Sequence, residues 1–267
     1  MKKNIFIFLG LWMLILSAGV AQEKRAASKD NTVTLYITRH GKTILNTMDR
    51  VQGWADSPLT PAGVEVAEYL GKGLAAEGIE FAAAYSSDLG RARQTARIVL
   101  DSKGQKKMTV TEVPQIRETN FGSYEGDLNK NMWNDAALFL KFKSYKELQG
   151  NLGRDLTLLA KAVDTFAELE TLGIGESYQT VKNRGQKAIR EIAAKEAAKG
   201  GGNILIVGHG MSIGIFLSDL DSTGKKPEMG HMGNAAVCKV IYKDGKFYLE
   251  SFGDMGYVEK GKKLEKQ

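Results

Sequence analysis

The amino-acid sequence predicts an α/β fold. We expect a three-layer sandwich in which helices flank a mostly parallel central sheet, with an antiparallel hairpin at one edge. Short apolar and β-branched runs, typical of buried strands, alternate with longer helical patterns. Near the C-terminal end, two such runs are joined by the turn KDGK, and a central Asp-Gly pair favours a tight hairpin turn.

The strands and helices are predicted to follow one another within residues 33–258 as one domain. The expected strands are VTLYIT, FAAAYSS, MTVTEV, NILIVGH and the hairpin strands AAVCKVIY and FYLESF. Helices are expected over residues 59–78, about 88–100 and 177–200. Thr60 as N-cap and Pro61 at the first helical position mark the start of the first helix, and Ser177 could cap the last.

Two further segments are less regular. The segment from about residue 127 to residue 175 shows a weak helical pattern, which predicts an insertion of helices beside the sheet. Residues 259–267 carry many charges, and we expect them to form a frayed tail.

Residues 1–21 have the composition of a Sec-type signal peptide. A basic start, an apolar run and a small-residue end follow in order, which predicts cleavage near Ala21 and a periplasmic or secreted protein. An uncleaved membrane anchor is the alternative, since the apolar run is nearly long enough to span a bilayer. Residues 22–32 are polar and read as a linker. Contact with the membrane is then expected only through the leader, during export.

Composition narrows the class of partner. The 267 residues carry a formal net charge of +6, which falls to +4 without Lys2 and Lys3 of the leader. This mild excess suits a small anionic substrate, and the sequence has no basic stripe with interleaved aromatic residues that would indicate nucleic-acid binding. Cys238 is the only cysteine, so no internal disulfide can form, and its place in an apolar strand predicts a core residue.

Two of the three histidines occupy matching positions. His40 follows the run VTLYITR, His209 follows NILIVG, and each is followed by glycine. Ligands of open α/β sheets bind outside the carboxyl ends of the strands, so these imidazoles are expected to share a site. His231 lies in the loop PEMGHMGN without such a context and is expected at the surface.

Three kinds of chemistry could account for two histidines at this edge of the sheet. Two histidines without nearby carboxylates or thiolates make a poor zinc site. The tripeptide GKT resembles the end of a phosphate-binding P-loop, but Tyr36 stands where that motif needs glycine. Nucleophilic histidine chemistry on phosphate fits better: Arg39 and Arg91 would bind phosphoryl oxygens, and Glu118, beyond the third strand, could supply a proton. Taken alone, Glu118 could also be a solvated loop carboxylate.

The ordered motifs TRHGKTILN, VQGWADSPLTPAG, SSDLGRARQTA, IRETNFGSYEG, GES and VGHGMS resemble those of the histidine phosphatase superfamily, which includes phosphoglycerate mutases and many phosphatases. The resemblance runs from about residue 33 to 215 and implies a site without metal or cofactor. It implies that His40 is the nucleophile, that Glu118 is the proton donor, and that Arg39, Arg91 and His209 surround the phosphate. It further implies a pocket lined by Thr43 and Asn46 and closed by Gln52 and Gly53.

Within this family, we expect the protein to be a phosphatase that acts on a small phosphomonoester. The mutases resemble one another in a long, Arg- and Lys-rich segment between the acid-bearing loop and GES. Here Glu118 and Glu176 are only 58 residues apart, and the intervening segment lacks paired arginines and prolines. A mutase-like phosphotransferase and a non-catalytic protein that binds a phosphorylated ligand are the alternatives. No sequence feature indicates the oligomeric state.

Overall fold

The structure is a computed structural model, and it describes residues 31–152, 156–227 and 232–265. The predicted signal peptide, most of the predicted linker and His231 lie outside the described residues. None of the helices in the described ranges combines the length and the apolarity that crossing a membrane requires.

The described residues form one six-stranded sheet with helices on both faces, which confirms the predicted fold class. The strands are β1 (Val33–Arg39), β2 (Phe81–Ser86), β3 (Val110–Glu112), β4 (Gly202–Gly208), β5 (Val237–Lys243) and β6 (Lys246–Asp254). The helices are α1 (Ile44–Thr47), α2 (Pro61–Ala76), α3 (Gly90–Lys103), α4 (Asn129–Phe139), α5 (Tyr145–Leu152), α6 (Leu156–Leu169), α7 (Tyr178–Ala198), α8 (Gly210–Leu217) and α9 (Gly256–Leu264).

The strand order is β3-β2-β4-β1-β5-β6. β1, β2, β3 and β4 pair in parallel, whereas β5 runs antiparallel to both β1 and β6. Asp244 and Gly245 join β5 to β6 and both have positive φ, of 51° and 77°, as the tight turn predicted from their sequence requires. The antiparallel hairpin therefore forms one edge of the sheet.

Strand residues alternate between two hydrophobic cores. In β1, Leu35 and Ile37 face the core formed with α7 and α8, while Tyr36 faces the core formed with α2, α3 and α9. β4 divides in the same way, with Ile206 on the first side and Leu205 on the second. Burial on both faces explains why these strands read as continuous apolar runs rather than as alternating ones.

The predicted N-caps are present. The Thr60 hydroxyl accepts a hydrogen bond from Gly63 N–H, with Pro61 in the first turn of α2, and the Ser177 hydroxyl accepts one from Thr180 N–H at the start of α7. These bonds satisfy backbone donors that have no partner inside the helix.

The expectation of a frayed tail over residues 259–267 is wrong for its first part. Residues up to Leu264 belong to α9, which packs against α2 and buries Val258. Glycines allow the two helices to approach closely: a Cβ on Gly73 would lie 1.8 Å from the Tyr257 carbonyl oxygen, and a Cβ on Gly261 would lie 1.9 Å from the Tyr69 carbonyl oxygen. The domain thus extends beyond the predicted boundary at residue 258.

The segment predicted as a helical insertion contains α4, α5 and α6. These helices have a hydrophobic core of their own, in which the ring centroid of Phe166 lies 4.9 Å from that of Trp133 and 5.8 Å from that of Phe121. Phe121 belongs to the loop after β3, so this third core joins the insertion to the edge of the sheet where the strands end.

Candidate active site

The sheet register places the two predicted histidines side by side. β1 and β4 are adjacent and parallel, and Arg39 at the end of β1 pairs with Gly208 at the end of β4. His40 and His209 are the next residues, and their ring centroids are 5.3 Å apart. The shared site that the sequence predicted therefore follows directly from the pairing of two strands.

Several contacts fix the turn after β1. Gly41 N–H donates to the Thr95 hydroxyl on α3 over 3.0 Å, and the His40 carbonyl accepts from the Asn234 amide over 2.9 Å. Gly41 must be glycine because a Cβ there would lie 2.3 Å from the Gly63 carbonyl oxygen of α2. His40 is thus held by a turn that packs tightly against two helices.

The His40 ring is oriented for attack by one nitrogen. Its Nδ1 lies 2.7 Å from the Gly41 carbonyl oxygen, which can only accept a hydrogen bond, so Nδ1 carries the proton in the neutral ring and Nε2 carries the lone pair. Burial, together with the positive charges of Arg91 and Arg39, lowers the pKa of His40 well below its ordinary value near 6.5. The neutral, nucleophilic form of the ring is therefore favoured at neutral pH.

Unpaired buried nitrogens cluster around His40. Among the described residues, Arg39 Nε, Arg91 Nε and both ring nitrogens of His209 are buried without a hydrogen-bond partner. Burial is the largest cause of a lowered pKa at His209 as well, followed by the charge of Arg91. A neutral His209 ring donates through one nitrogen and accepts through the other, so three of these four nitrogens are donors. A buried donor without a partner costs about 1–3 kcal/mol, and three unpaired donors at one place indicate a site for an oxygen-rich ligand.

The two arginines are held by main-chain carbonyls. Arg39 donates to the Met232 carbonyl over 2.6 Å. Arg91 is fully buried at the start of α3, donates to the Gly53 and Ala55 carbonyls over 2.7 Å and 2.9 Å, and pairs with Asp56 over 2.9 Å. Its position is therefore set by the segment between α1 and α2 as well as by α3.

Glu118 lies against the first turn of α8. Its Oε1 accepts from Thr119 N–H over 2.9 Å and from Ser212 N–H over 2.8 Å, and its Oε2 accepts from Met211 N–H over 3.0 Å. The positive end of a helix dipole favours a carboxylate at this place. Since Met211 is two residues beyond His209, the same turn brings the carboxylate and the second histidine together.

The loop that carries Glu118 is held by Arg184, which the sequence analysis did not identify. From α7, this guanidinium donates to the carbonyls of Gln115, Arg117 and Glu118 over 2.7–2.8 Å. It also forms a bidentate pair with Glu176 of the GES motif, at 2.7 Å for each bond. Main-chain acceptors leave no sequence pattern, so only the spacing of Glu176 and Arg184 around the start of α7 could have suggested the pair.

A cavity of about 630 Å³ adjoins this site, and Arg39, His40 and Glu118 line it. Two of the predicted pocket residues, Asn46 and Gln52, line it as well.

The described residues that line the cavity do not include Thr43, Gly53, Arg91 or His209, and the ligand roles predicted for these four residues stay predictions. Thr43 is fully buried, its hydroxyl caps α1 by accepting from Asn46 N–H, and it donates to Gln52 Oε1 over 2.6 Å. Gly53 accepts from Arg91 through its carbonyl and donates its N–H to Glu125. Both residues hold their neighbours in place.

Other carboxylates near the site are engaged elsewhere. Asp88 forms an ion pair with Arg117, and Glu125 accepts from the backbone N–H groups of Gly53, Trp54, Ala55 and Phe121. Neither lines the cavity. Within the ranges that the structure describes, no three His, Cys, Asp or Glu side chains are grouped so that they could hold a metal ion. Cys238 is a buried core residue, as predicted, and burial raises the pKa of its thiol to about 12.

Fold and site together define an α/β protein with two histidines, two arginines and a carboxylate at the carboxyl edge of its sheet. The family model described as the histidine phosphatase superfamily (branch 1) matches residues 35–255. The chain therefore belongs to this superfamily, as the sequence motifs indicated.

Individual relatives include mutases and phosphatases. The chain is 28% identical over 231 residues to the probable phosphoglycerate mutase GpmB of Yersinia pestis (strain Pestoides F), covering 84% of this chain and 94% of the relative. A crystal structure of phosphoglycerate mutase from Bacillus anthracis str. Sterne is 42% identical with a TM-score of 0.79, covering 88% of this chain and 99% of that one. A phosphoserine phosphatase of Entamoeba histolytica, in complex with phosphoserine, is 21% identical with a TM-score of 0.62, covering 84% and 98%, and is similar in fold.

Proposed function

We propose that this protein is an exported, metal-independent phosphatase that hydrolyses small phosphomonoesters through a phosphohistidine formed on His40. The observation that carries the proposal is the cluster of unpaired buried nitrogens on Arg39, Arg91 and His209, beside a nucleophilic ring. Donors of these types suit the three oxygens of a phosphoryl group, and their charge would balance the charge that develops there. The two guanidinium groups supply positive charge without a metal ion.

The reaction would proceed in two balanced steps. In the first, His40 Nε2 attacks phosphorus, the bond from phosphorus to the ester oxygen breaks, and the departing alcohol takes a proton from Glu118. In the second, water attacks the phosphohistidine, the bond from phosphorus to Nε2 breaks, and the Glu118 carboxylate takes a proton from the water. Splitting the displacement in two replaces one difficult step by two easier ones.

Glu118 is supported as the proton donor by its place in the cavity, which neither Asp88 nor Glu125 shares. Each carboxylate oxygen has two lone-pair sites, and among the described residues one hydrogen bond reaches Oε2, from Met211 N–H. One site on Oε2 is therefore left to carry the transferred proton without breaking a contact to α8.

Trapping the intermediate tests the proposal. The protein is mixed with a phosphomonoester carrying radiolabelled phosphate and quenched in alkali, and the labelled peptide is identified by mass spectrometry. We expect the label on the peptide that contains His40 and none in His40→Ala. A label on the His209 peptide would overturn the assignment of the nucleophile, and tight ligand binding without label or turnover would favour a non-catalytic binding protein.

A mutase is the second candidate, because the 42% identical Bacillus anthracis structure bears that name. The two activities differ in their product from one substrate. Phosphorus NMR of a 3-phosphoglycerate solution is expected to show slow release of inorganic phosphate by a phosphatase. Appearance of 2-phosphoglycerate at a rate above that of phosphate release would favour the mutase.

Export rests on the leader composition of residues 1–21. Mass spectrometry of the protein recovered outside the cytoplasmic membrane should give an N-terminus near Gln22. An intact Met1 in a membrane fraction would indicate an anchor instead.

A further inference from the structure

Apolar residues form much of the lining of the cavity beside His40, together with the polar side chains of Asn46, Gln52, Asn129 and Gln149, and we call these apolar residues the apolar wall. This wall is contributed by the loop after β3 and by helices α4, α5, α6 and α8. Its main residues are Phe121, Met132, Trp133, Leu152, Leu159 and Met211.

The apolar wall begins next to the proposed proton donor. Met211 donates its backbone N–H to Glu118 Oε2 over 3.0 Å, and the Met211 side chain lines the cavity and packs against the core of the insertion. The proton from Glu118 goes to the ester oxygen of the leaving alcohol. The carbon attached to that oxygen would therefore enter the part of the cavity that Met211 borders.

The wall is firmly packed. Met132 and Trp133 are 2% and 8% exposed and belong to the hydrophobic core of α4, α5 and α6, where Phe166 makes edge-on ring contacts with Trp133 and Phe121. A surface that is already ordered binds an apolar group without the cost of ordering its own side chains.

Charges on the rest of the lining nearly cancel. Besides Arg39 and Glu118, the described charged side chains that line the cavity are Asp49 and Arg50, which are neighbours of opposite sign. Asp49 accepts from the Asn129 amide over 2.8 Å, and Arg50 donates to the Gly126 carbonyl over 2.7 Å. A second anionic group on the substrate would therefore meet Arg50, which already donates to a main-chain carbonyl and is the neighbour of the Asp49 carboxylate.

We infer that the preferred substrates are phosphomonoesters of uncharged, largely apolar alcohols, such as aryl or arylalkyl phosphates, rather than phosphate esters that carry a carboxylate. This inference rests on the proposed function for the phosphate end of the site. At about 25 cal/mol per Å² of apolar surface, burying roughly 100 Å² of ligand on the wall corresponds to a gain in affinity on the order of 10- to 100-fold.

Titration calorimetry with phosphonates, which cannot be hydrolysed, tests this class directly. The three probes are methylphosphonate, benzylphosphonate and 3-phosphonopropionate, which carries a carboxylate. We expect benzylphosphonate to bind about 10- to 100-fold more tightly than methylphosphonate, and 3-phosphonopropionate to bind no more tightly than methylphosphonate.

Two leucines provide matched variants. Leu152 lines the cavity, whereas Leu138 on α4 is 73% exposed and does not. Leu152→Gln should reduce the ratio of benzylphosphonate to methylphosphonate affinity several-fold and leave methylphosphonate affinity unchanged, and Leu138→Gln should alter neither. Met211→Gln gives a second variant on the wall, and circular dichroism establishes that each variant is folded.

The outcomes separate this inference from the proposed function. The inference would be overturned, even if a phosphohistidine forms, if 3-phosphonopropionate bound most tightly of the three probes. It would also be overturned if benzylphosphonate and methylphosphonate bound equally tightly and no wall variant changed that ratio. The expected ratios without any phosphohistidine would support the apolar wall while refuting the phosphatase. Failure of every phosphonate to bind would overturn the inference and, if no phosphohistidine forms either, the proposed function as well.

Discussion

Replacing Glu118 by glutamine separates its two roles, because the side chain keeps its shape and loses its transferable proton. In the structure, Oε1 accepts two backbone N–H bonds and Oε2 accepts one. The amide oxygen of Glu118→Gln is expected at the Oε1 position, which retains the bonds from Thr119 and Ser212. The amide NH₂ then faces Met211 N–H, a second donor. One buried donor without a partner predicts a loss of about 1–3 kcal/mol in the free energy of unfolding.

The catalytic effect should depend on the leaving group. 4-Nitrobenzyl phosphate releases a strongly basic alkoxide that needs a proton, whereas 4-nitrophenyl phosphate, of similar shape, releases a stable phenolate. Loss of a general acid typically costs on the order of 10²–10⁴ in rate. We expect kcat/KM of Glu118→Gln to fall by about that factor with the benzyl ester and by much less with the phenyl ester.

Glu125→Gln is the matched control. This carboxylate lies in the same loop and accepts four backbone N–H bonds, but it does not line the cavity. It should lower the free energy of unfolding and reduce both rates by similar factors. Equal losses for the two esters in Glu118→Gln, measured where urea titration shows the variant folded, would refute Glu118 as the general acid and leave it a structural partner of α8.

Four further predictions concern charge, packing and metal. Acidification from about pH 7.5 to about pH 5.5 should lower the free energy of unfolding, because His40 and His209 stay neutral in the native state where the unfolded chain binds protons. Urea titrations at the two pH values should give a smaller difference in the free energy of unfolding for His209→Asn than for the wild type. An unchanged difference would contradict the assignment of this pH dependence to the buried histidines. Gly261→Ala should cost about 1–3 kcal/mol in the same titration, since its Cβ would collide with α2; an unchanged midpoint would mean that the α2–α9 contact is loose. Arg184→Lys should lower the free energy of unfolding by about 2–3 kcal/mol and reduce turnover of the benzyl ester more than that of the phenyl ester. Arg93→Lys, in an exposed ion pair, should lower it by at most about 1 kcal/mol. Equal effects of the two substitutions would argue against the role of Arg184 in holding the loop that carries Glu118. Chelators should leave the rate unchanged, and a loss restored by one metal would contradict the metal-independent mechanism.

The sequence predicts the sheet and the place of the two histidines well, because the pairing of two strands fixes where the residues that follow them lie. Two buried runs that each end in His-Gly need only be parallel and adjacent for His40 and His209 to meet, and the register from Arg39 to Gly208 brings them together. Neither event depends on details of side-chain packing. The order of the strands in the sheet, by contrast, rests on contacts between segments far apart in the chain.

Some contacts of the site could not be predicted from the sequence because they depend on main-chain atoms. The Thr43 hydroxyl accepts from the Asn46 N–H at the start of α1, and Gly53 presents its carbonyl to Arg91, and the sequence motifs indicated neither contact. Arg184 was missed because three main-chain carbonyls accept from it, and carbonyls are the same in every residue type. α9 was missed because its contact with α2 depends on Gly73 and Gly261, which carry no hydrophobic periodicity.

The positive charges of the site connect ligand binding to the protonation of the nucleophile. Arg91 and Arg39 lower the pKa of His40, and the same guanidinium groups carry the unpaired nitrogens proposed to bind phosphate. A bound phosphate dianion would offset their charge and so favour protonation of His40; by linkage, protonated His40 would bind phosphate more tightly. A bound phosphomonoester dianion would favour protonation of His40 in the same way, and protonation would remove the lone pair with which Nε2 attacks. After hydrolysis the free ring and the product dianion occupy the site together. Attack by His40 and release of phosphate are therefore both expected to slow as the pH falls.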